Sequence, residues 1–463
     1  MSGSSGLSGL SGLSRRLGSA ALGAALLGCT GAGTADRVSP EVPLWTHRPS
    51  GAMRVLYTRP LTAVSRKIGE DYERGRIEID ARGGRVFVGS ADRGLYALRA
   101  GDGSTLWRFE TMGVVQGEPY YDAELDALYF GSHDGALYAV KAQNGALLWR
   151  TMTGAEVARR PVLSGDTLIF ANAADQVFAV DRKSGQSRWR AQRTPAAGME
   201  IAGYSGPTLA FGKVYIGFSD GHVTAYDAKS GLEQWTPQDL AADSERAGGE
   251  TAKYLDVDTT PVADVNAAGK VVYVASYAGG IFALDAQTGA RIWSNDRATG
   301  VIDLTMFREA AHTPSPDGPY AGGPTVPERK VLLATSSTTG FWGLDPVTGR
   351  SLWQHPVPDG AKARGEASQN ASKAPGEPRR SMAGSPPPDG GMTLPVPIAG
   401  AVLIGTSRYG LFLVSPKNGR VIDGLDIGSG FAQSAAAYGN RAFILSNAGT
   451  LLALAVDPPA PPL

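Results

Sequence analysis

The sequence predicts an all-β fold: an eight-bladed β-propeller of four-stranded antiparallel blades, with the ring closed by the N-terminal strand. Three observations predict it. A strand–turn–strand unit recurs along the chain, its turn glycine is followed four residues later by tryptophan in six copies, and the last copy lacks its final strand. Self-similarity at a regular period fixes the architecture before any other feature is weighed, because each unit can bury its apolar face only against its neighbours.

The units read "GLYALRAGDGSTLWR" (94–108), "GALYAVKAQNGALLWR" (135–150), "QVFAVDRKSGQSRWR" (176–190), "GHVTAYDAKSGLEQW" (221–235), "GGIFALDAQTGARIW" (279–293), "GFWGLDPVTGRSLW" (340–353), "GLFLVSPKNGRVID" (410–423) and "GTLLALAVDP" (449–458). Alternating apolar positions make each half a strand, and the turn glycine tolerates positive φ. A β-branched and aromatic run such as "RVFVGS", "ALYFGS" or "VVYVAS" precedes each unit, and weaker runs such as "PVLSGD" supply a fourth strand. Four strands in each of eight units make a propeller, which leaves only short, protected edges. The eighth unit ends without its Trp strand, while "PLWTHRP", with Trp45, has no unit of its own. The N-terminal strand therefore completes the last blade. Trp45, Trp107, Trp149, Trp189, Trp235, Trp293 and Trp353 are expected to pack between neighbouring blades, since a large ring with one N–H donor suits a seam.

With 61 glycines, 42% hydrophobic residues and no long run of helix formers, the 463 residues suit one large all-β domain. Forty-four basic residues balance 44 acidic ones, which argues against nucleic acid or an anionic membrane surface as the main partner. The single cysteine, Cys29, follows Arg15, Arg16 and an apolar run over 17–28 that is too short to span a bilayer. Leu26-Leu27-Gly28-Cys29 resembles a bacterial lipobox. That resemblance implies a signal peptide over 1–28, a lipidated N-terminus and tether over 29–42, and the propeller over 43–463. Thr30, which is not the aspartate that retains lipoproteins in the inner membrane, implies the periplasmic leaflet of the outer membrane.

Two stretches rich in Pro, Gly, Ser and charge, near 308–328 and 356–397, read as disordered insertions, the first between blades five and six and the second between six and seven. The histidines at 47, 133, 222, 312 and 355 lack metal-ligand spacing, and no nucleophile elbow, P-loop or Cys/His cluster occurs. Aspartates such as Asp181, Asp227, Asp285 and Asp345 fit Asx-turn chemistry. These readings point to no catalytic residue, no metal and no cofactor.

The repeat A-x-D-x-x-[ST]-G-x-x-x-W looks like that of the pyrroloquinoline quinone propellers. The dehydrogenases of that group carry an adjacent cysteine pair, a calcium site and an aspartate base, and no cysteine follows Cys29 here. A lipidated, non-catalytic propeller of this type resembles the BamB family. "GYSGPTLAFG" (203–212) after "GMEI", "YLDVDTTPV" (254–262) and "GSGF" (428–431) carry the likeness. The resemblance implies a scaffold that docks on the POTRA domains of BamA beside the other Bam lipoproteins and helps unfolded outer membrane proteins reach the insertase. It assigns docking to Met199, Ile201, Asp256 and Asp258, an apolar anchor flanked by acidic groups. The family's arginine is replaced by Ala202. Turn capping by the aspartates and edge packing by Met199 and Ile201 remain the alternative. A periplasmic propeller holding quinone or another small ligand on its axis, and a surface-exposed adhesion propeller, also remain open.

Lipidation at Cys29 predicts that Cys29→Ser abolishes incorporation of labelled palmitate and releases the protein from the membrane fraction. Persistent label in that variant contradicts the assignment.

Overall fold

The computed structural model describes residues 50–61, 73–195, 204–240, 256–311, 327–356, 391–407, 410–427 and 429–457. Cys29, Trp45, Met199, Ile201 and Ala202 lie outside them. The described strands form eight four-stranded antiparallel sheets. In chain order the blades occupy residues 77–110, 120–152, 162–192, 208–239, 262–295, 301–355 and 396–425, with 436–456 joined by a strand from the N-terminal side. The two middle strands of each blade are almost wholly buried, as in Ala127–Gly131 and Ala136–Lys141, whereas outer strands such as Thr105–Glu110 alternate between partly buried and exposed. Eight separate apolar clusters run around the ring, most of them joining residues of two adjacent blades. The core is a circular wall.

Six of the eight seams are built from the repeated Gly and Trp. The turn glycines, for example Gly145, Gly185 and Gly349, have φ of 73°, 69° and 71°, and an added Cβ would stand 2.7, 2.6 and 2.4 Å from the indole of the preceding blade. Glycine is required twice over, for the backbone conformation and for the close approach. In five of these six seams the indole then donates its N–H to a turn carbonyl of the next blade: Trp107 to Ala142 at 2.9 Å, Trp149 to Arg182 at 3.0 Å, Trp189 to Ala228 at 3.3 Å, Trp293 to Pro346 at 3.2 Å and Trp353 to Pro416 at 3.1 Å, whereas the Trp235 N–H has no acceptor among the described residues. A β-bulge one residue before the ring aims it. In blade one Ala97 pairs with Trp107 and Leu98 with Thr105, so Leu106 has no opposite residue, and blades two, three, five and six repeat the pattern.

The ring is closed from the N-terminal side, and the segment around Trp45 lies outside the described residues. The closing strand is Met53–Pro60, the outermost strand of blade eight, paired with Thr450–Val456. Its bulge falls at Leu56, so Tyr57 occupies the tryptophan's place: the ring lies against Gly103 of blade one and the hydroxyl donates to Ala100 O at 3.0 Å. At the preceding seam the tryptophan's place is taken by Asp423, opposite Leu413. Its buried carboxylate accepts the N–H groups of Ser50 at 2.8 Å and Met53 at 2.7 Å, which fixes the start of the closing strand. A carboxylate meeting two backbone donors does here what ring packing does elsewhere.

The insertions also differ from expectation. Residues 312–326 fall in sequence between Val301–Glu309 and Arg329–Ser336, so they interrupt blade six rather than separating blades five and six. The second interruption ends earlier than 397, because Met392 bridges Thr406 and Val396–Ile398 is the inner strand of blade seven.

Two substitutions test the seams. Trp149→Ala should destabilise the propeller by roughly 3–5 kcal/mol in urea unfolding. Asp423→Ala should cost roughly 2–3 kcal/mol and speed amide exchange in Met53–Pro60 above that of blade two; equal exchange would show that the carboxylate does not hold the closing strand.

Candidate docking face and axial channel

The loops that enter each blade's inner strand converge on the propeller axis. Arg76 directly precedes Ile77–Asp80, Glu118 lies two residues before Tyr120–Asp122, Arg160 two before Val162–Ser164 and Thr260 two before Val262–Asn266. Arg76 donates to Gln433 at 2.7 Å and to Glu118 at 3.2 Å. Arg160 forms a fork on Glu78 at 2.5 and 2.9 Å and reaches Glu118 at 3.2 Å. Blades eight, one, two and three are thus bound together by charge-assisted contacts around a cavity of about 210 Å³. Nothing in the repeat marks these residues. Alignment of the units on the position just before each inner strand would have exposed them.

At the seam of blades four and five the two stretches singled out in the sequence touch. Ser205 Oγ donates to Thr259 O at 2.9 Å, the Gly206 N–H to Thr260 Oγ1 at 3.1 Å, and Thr208 Oγ1 to Pro261 O. Tyr204 reaches the other way, into blade three, where its buried hydroxyl accepts from the Ala158 N–H and donates to Glu156 O. Arg159 closes the triangle, giving Nε to Tyr204 O at 2.5 Å and Nη2 to Asp258 O at 3.2 Å. "YSGPT" (204–208) and "DTTP" (258–261) therefore lock three consecutive blades.

Within this seam Asp256 and Asp258 are not a pair of open surface charges. Asp256 is only 4% exposed, and each aspartate has one buried oxygen without a hydrogen-bond partner. Between them, Val257 packs on Gly217 and donates its N–H to Phe218 O at 3.1 Å. Burial foremost, and then the neighbouring carboxyl of Asp256, push Asp258 up to about 7, with Arg159 opposing. Asp256 and Asp258 thus form a neighbouring carboxyl pair, the first buried and the second partly buried, at the wall of the ring. "GSGF" contributes Phe431, fully buried, which lies against Gly405 and donates its N–H to Thr406 O at 2.8 Å. Among the described residues no three His, Cys, Asp or Glu side chains are grouped to hold a metal ion.

A family model described as outer membrane protein assembly factor BamB matches residues 123–355 and 260–456, which together cover most of the propeller. The chain belongs to the BamB family. BamB of Yersinia pestis is 28% identical over 219 residues, 47% of this chain and 43% of that protein. BamB of Legionella pneumophila is 22% identical over 262 residues, 57% and 53% of the two chains. The chain thus spans about half the length of these curated relatives. In fold it resembles BamB from Moraxella catarrhalis, with a TM-score of 0.59 at 18% identity over 87% of this chain and 97% of that one. It resembles a quinohemoprotein alcohol dehydrogenase from Comamonas testosteroni almost equally, with a TM-score of 0.58 at 13% identity over 90% and 79%. Structural likeness at this level shows the propeller alone; the family model distinguishes BamB from the dehydrogenases.

The raised Asp258 carboxyl gives a signed prediction. A carboxyl whose folded pKa lies above its unfolded value of 3.8 favours the fold while protonated, so its contribution is complete below 3.8 and lost as pH rises through about 7. Unfolding measured from pH 4 to 8 should show the wild type losing stability relative to Asp258→Asn across that window. Parallel pH profiles would show that Asp258 titrates normally.

Proposed function

We propose that the chain is a non-catalytic scaffold of the outer-membrane β-barrel assembly machinery. In this reading residues 1–28 are the signal peptide, lipid on Cys29 and the 29–42 tether hold the propeller on the periplasmic face of the outer membrane, and the propeller docks on the POTRA domains of BamA. Beside the other Bam lipoproteins it helps unfolded outer membrane proteins reach the insertase. The observation that carries this reading is the BamB family match across residues 123–456, which takes in both stretches that meet at the blade four and five seam.

The docking elements divide into two kinds. Met199 and Ile201 stand in sequence just before Tyr204, where the chain enters the locked seam, and are the apolar anchor of the proposal. Asp256 and Asp258, each with one buried oxygen, are suited to holding the ends of their own loop in place rather than meeting a partner's charge directly. With Ala202 in place of the family's arginine, the apolar contacts carry more of the affinity.

Purification of the tagged lipoprotein from its native membrane in mild detergent, followed by mass spectrometry, should recover BamA and companion lipoproteins. Met199→Glu should cut BamA recovery by about tenfold or more, as expected when an apolar interface anchor becomes charged, with an unchanged unfolding transition. Absence of BamA from the wild-type complex contradicts the proposal. Undiminished recovery with Met199→Glu removes this residue from the interface.

A further inference from the structure

The axial cavity holds two opposite charges, Arg159 and Asp303, that make no ion pair with a described side chain, although Asp303 lies in the field of Arg76 and then of Arg159. Three arginines, Arg76, Arg159 and Arg160, and two carboxylates, Glu118 and Asp303, line it, while Glu78 takes the Arg160 fork from outside the lining. Arg76 and Arg160 are matched by Glu118 and Glu78. Arg159 differs: its hydrogen bonds go to the backbone carbonyls of Tyr204 and Asp258, and it makes no ion pair with a described carboxylate. Asp303, on the inner strand Val301–Glu309 of blade six, has no hydrogen bond or ion pair among the described residues. The two line the same cavity of about 210 Å³ and feel one another's field across it. Burial lowers the Arg159 pKa and raises that of Asp303, so each charge is held at a cost that a partner would relieve. The rest of the lining is largely apolar, with Val162, Val262, Leu304 and Leu394 facing the same space.

We propose that the axial cavity binds a small aliphatic α-amino acid as its zwitterion, the carboxylate on the Arg159 guanidinium, the ammonium on Asp303, and the side chain against Val162, Val262, Leu304 and Leu394. Charge balance selects this class. A simple anion satisfies Arg159 but meets Glu118 and leaves Asp303 alone, and a simple cation does the reverse beside Arg76. A zwitterion adds no net charge to a group of side chains that sums to zero once Glu78, paired with Arg160 outside the lining, is counted, and it completes both Arg159 and Asp303 at once. Few convergent polar groups in a mostly apolar recess are the usual makeup of a small-ligand site. The inference stands on the cavity alone and does not depend on the assembly role.

The test uses the full-length protein and each of the standard amino acids in turn, with thermal shift as the screen and calorimetry to measure affinity. An aliphatic amino acid should raise the melting temperature and saturate one site. Its N-acetyl derivative, which lacks the ammonium, and its amide, which lacks the carboxylate, should each bind about tenfold or more weakly. Asp303→Asn should abolish the preference over the N-acetyl derivative, and Arg159→Gln the preference over the amide. Should Arg159→Gln fail to fold, because it also joins blades three to five, the Asp303→Asn result decides, since Asp303 supports no other described side chain. The proposal is overturned if no amino acid binds saturably, or if blocking either charged group leaves the affinity unaltered.

Discussion

Everything in this molecule depends on the stacking of one aromatic ring over one glycine turn at successive seams. A single blade is a four-stranded sheet with two apolar faces and cannot stand alone. The indole of one blade, set by a bulge and placed against a turn glycine in the left-handed region, fixes how the next blade sits, and the turn carbonyl accepts its N–H. Repetition of that step carries the chain around the axis. At closure the same geometry is met by different chemistry, Asp423 gripping the start of the closing strand and Tyr57 lying over Gly103. Because the seams hold the blades from the rim, the inner loops can carry residues that no repeat requires.

Those inner loops divide the axis into two regions. From blade eight to blade three, arginine and carboxylate alternate and satisfy one another around Glu118. From blade three to blade five, backbone carbonyls and hydroxyls do the joining. The second region contains two of the stretches that carry the likeness read in the sequence. Its sequence signature is accounted for by folding, since each of Tyr204, Ser205, Gly206 and Thr260 makes or receives a contact across a blade boundary.

The architecture was legible in the sequence because the seam step is written in residues with one job each: a glycine for positive φ and a tryptophan four positions later. Closure was legible in kind but not in place. A search for tryptophan finds Trp45, whereas the ring is closed by Tyr57, whose credentials are the bulge at Leu56 and the turn of Gly103, and pairing of that sort is invisible before the strands are laid side by side. The first insertion was assigned to a boundary between blades because its strand, Val301–Glu309, carries no repeat motif of its own. Asp256 and Asp258 were found by resemblance, yet their burial could not be read from an acidic stretch that alternates with Leu and Val. The axial arginines were missed altogether, since a residue that serves the centre of a ring is used once and repeats nowhere.

The most direct measurement of the central claim, that this propeller serves outer-membrane protein assembly, is quantitative proteomics of the outer membrane after depletion of the protein in its native host. The account predicts that β-barrel proteins fall together while inner-membrane and soluble periplasmic proteins hold steady. An unchanged complement of β-barrels would contradict it, leaving the propeller without the assembly role its family suggests.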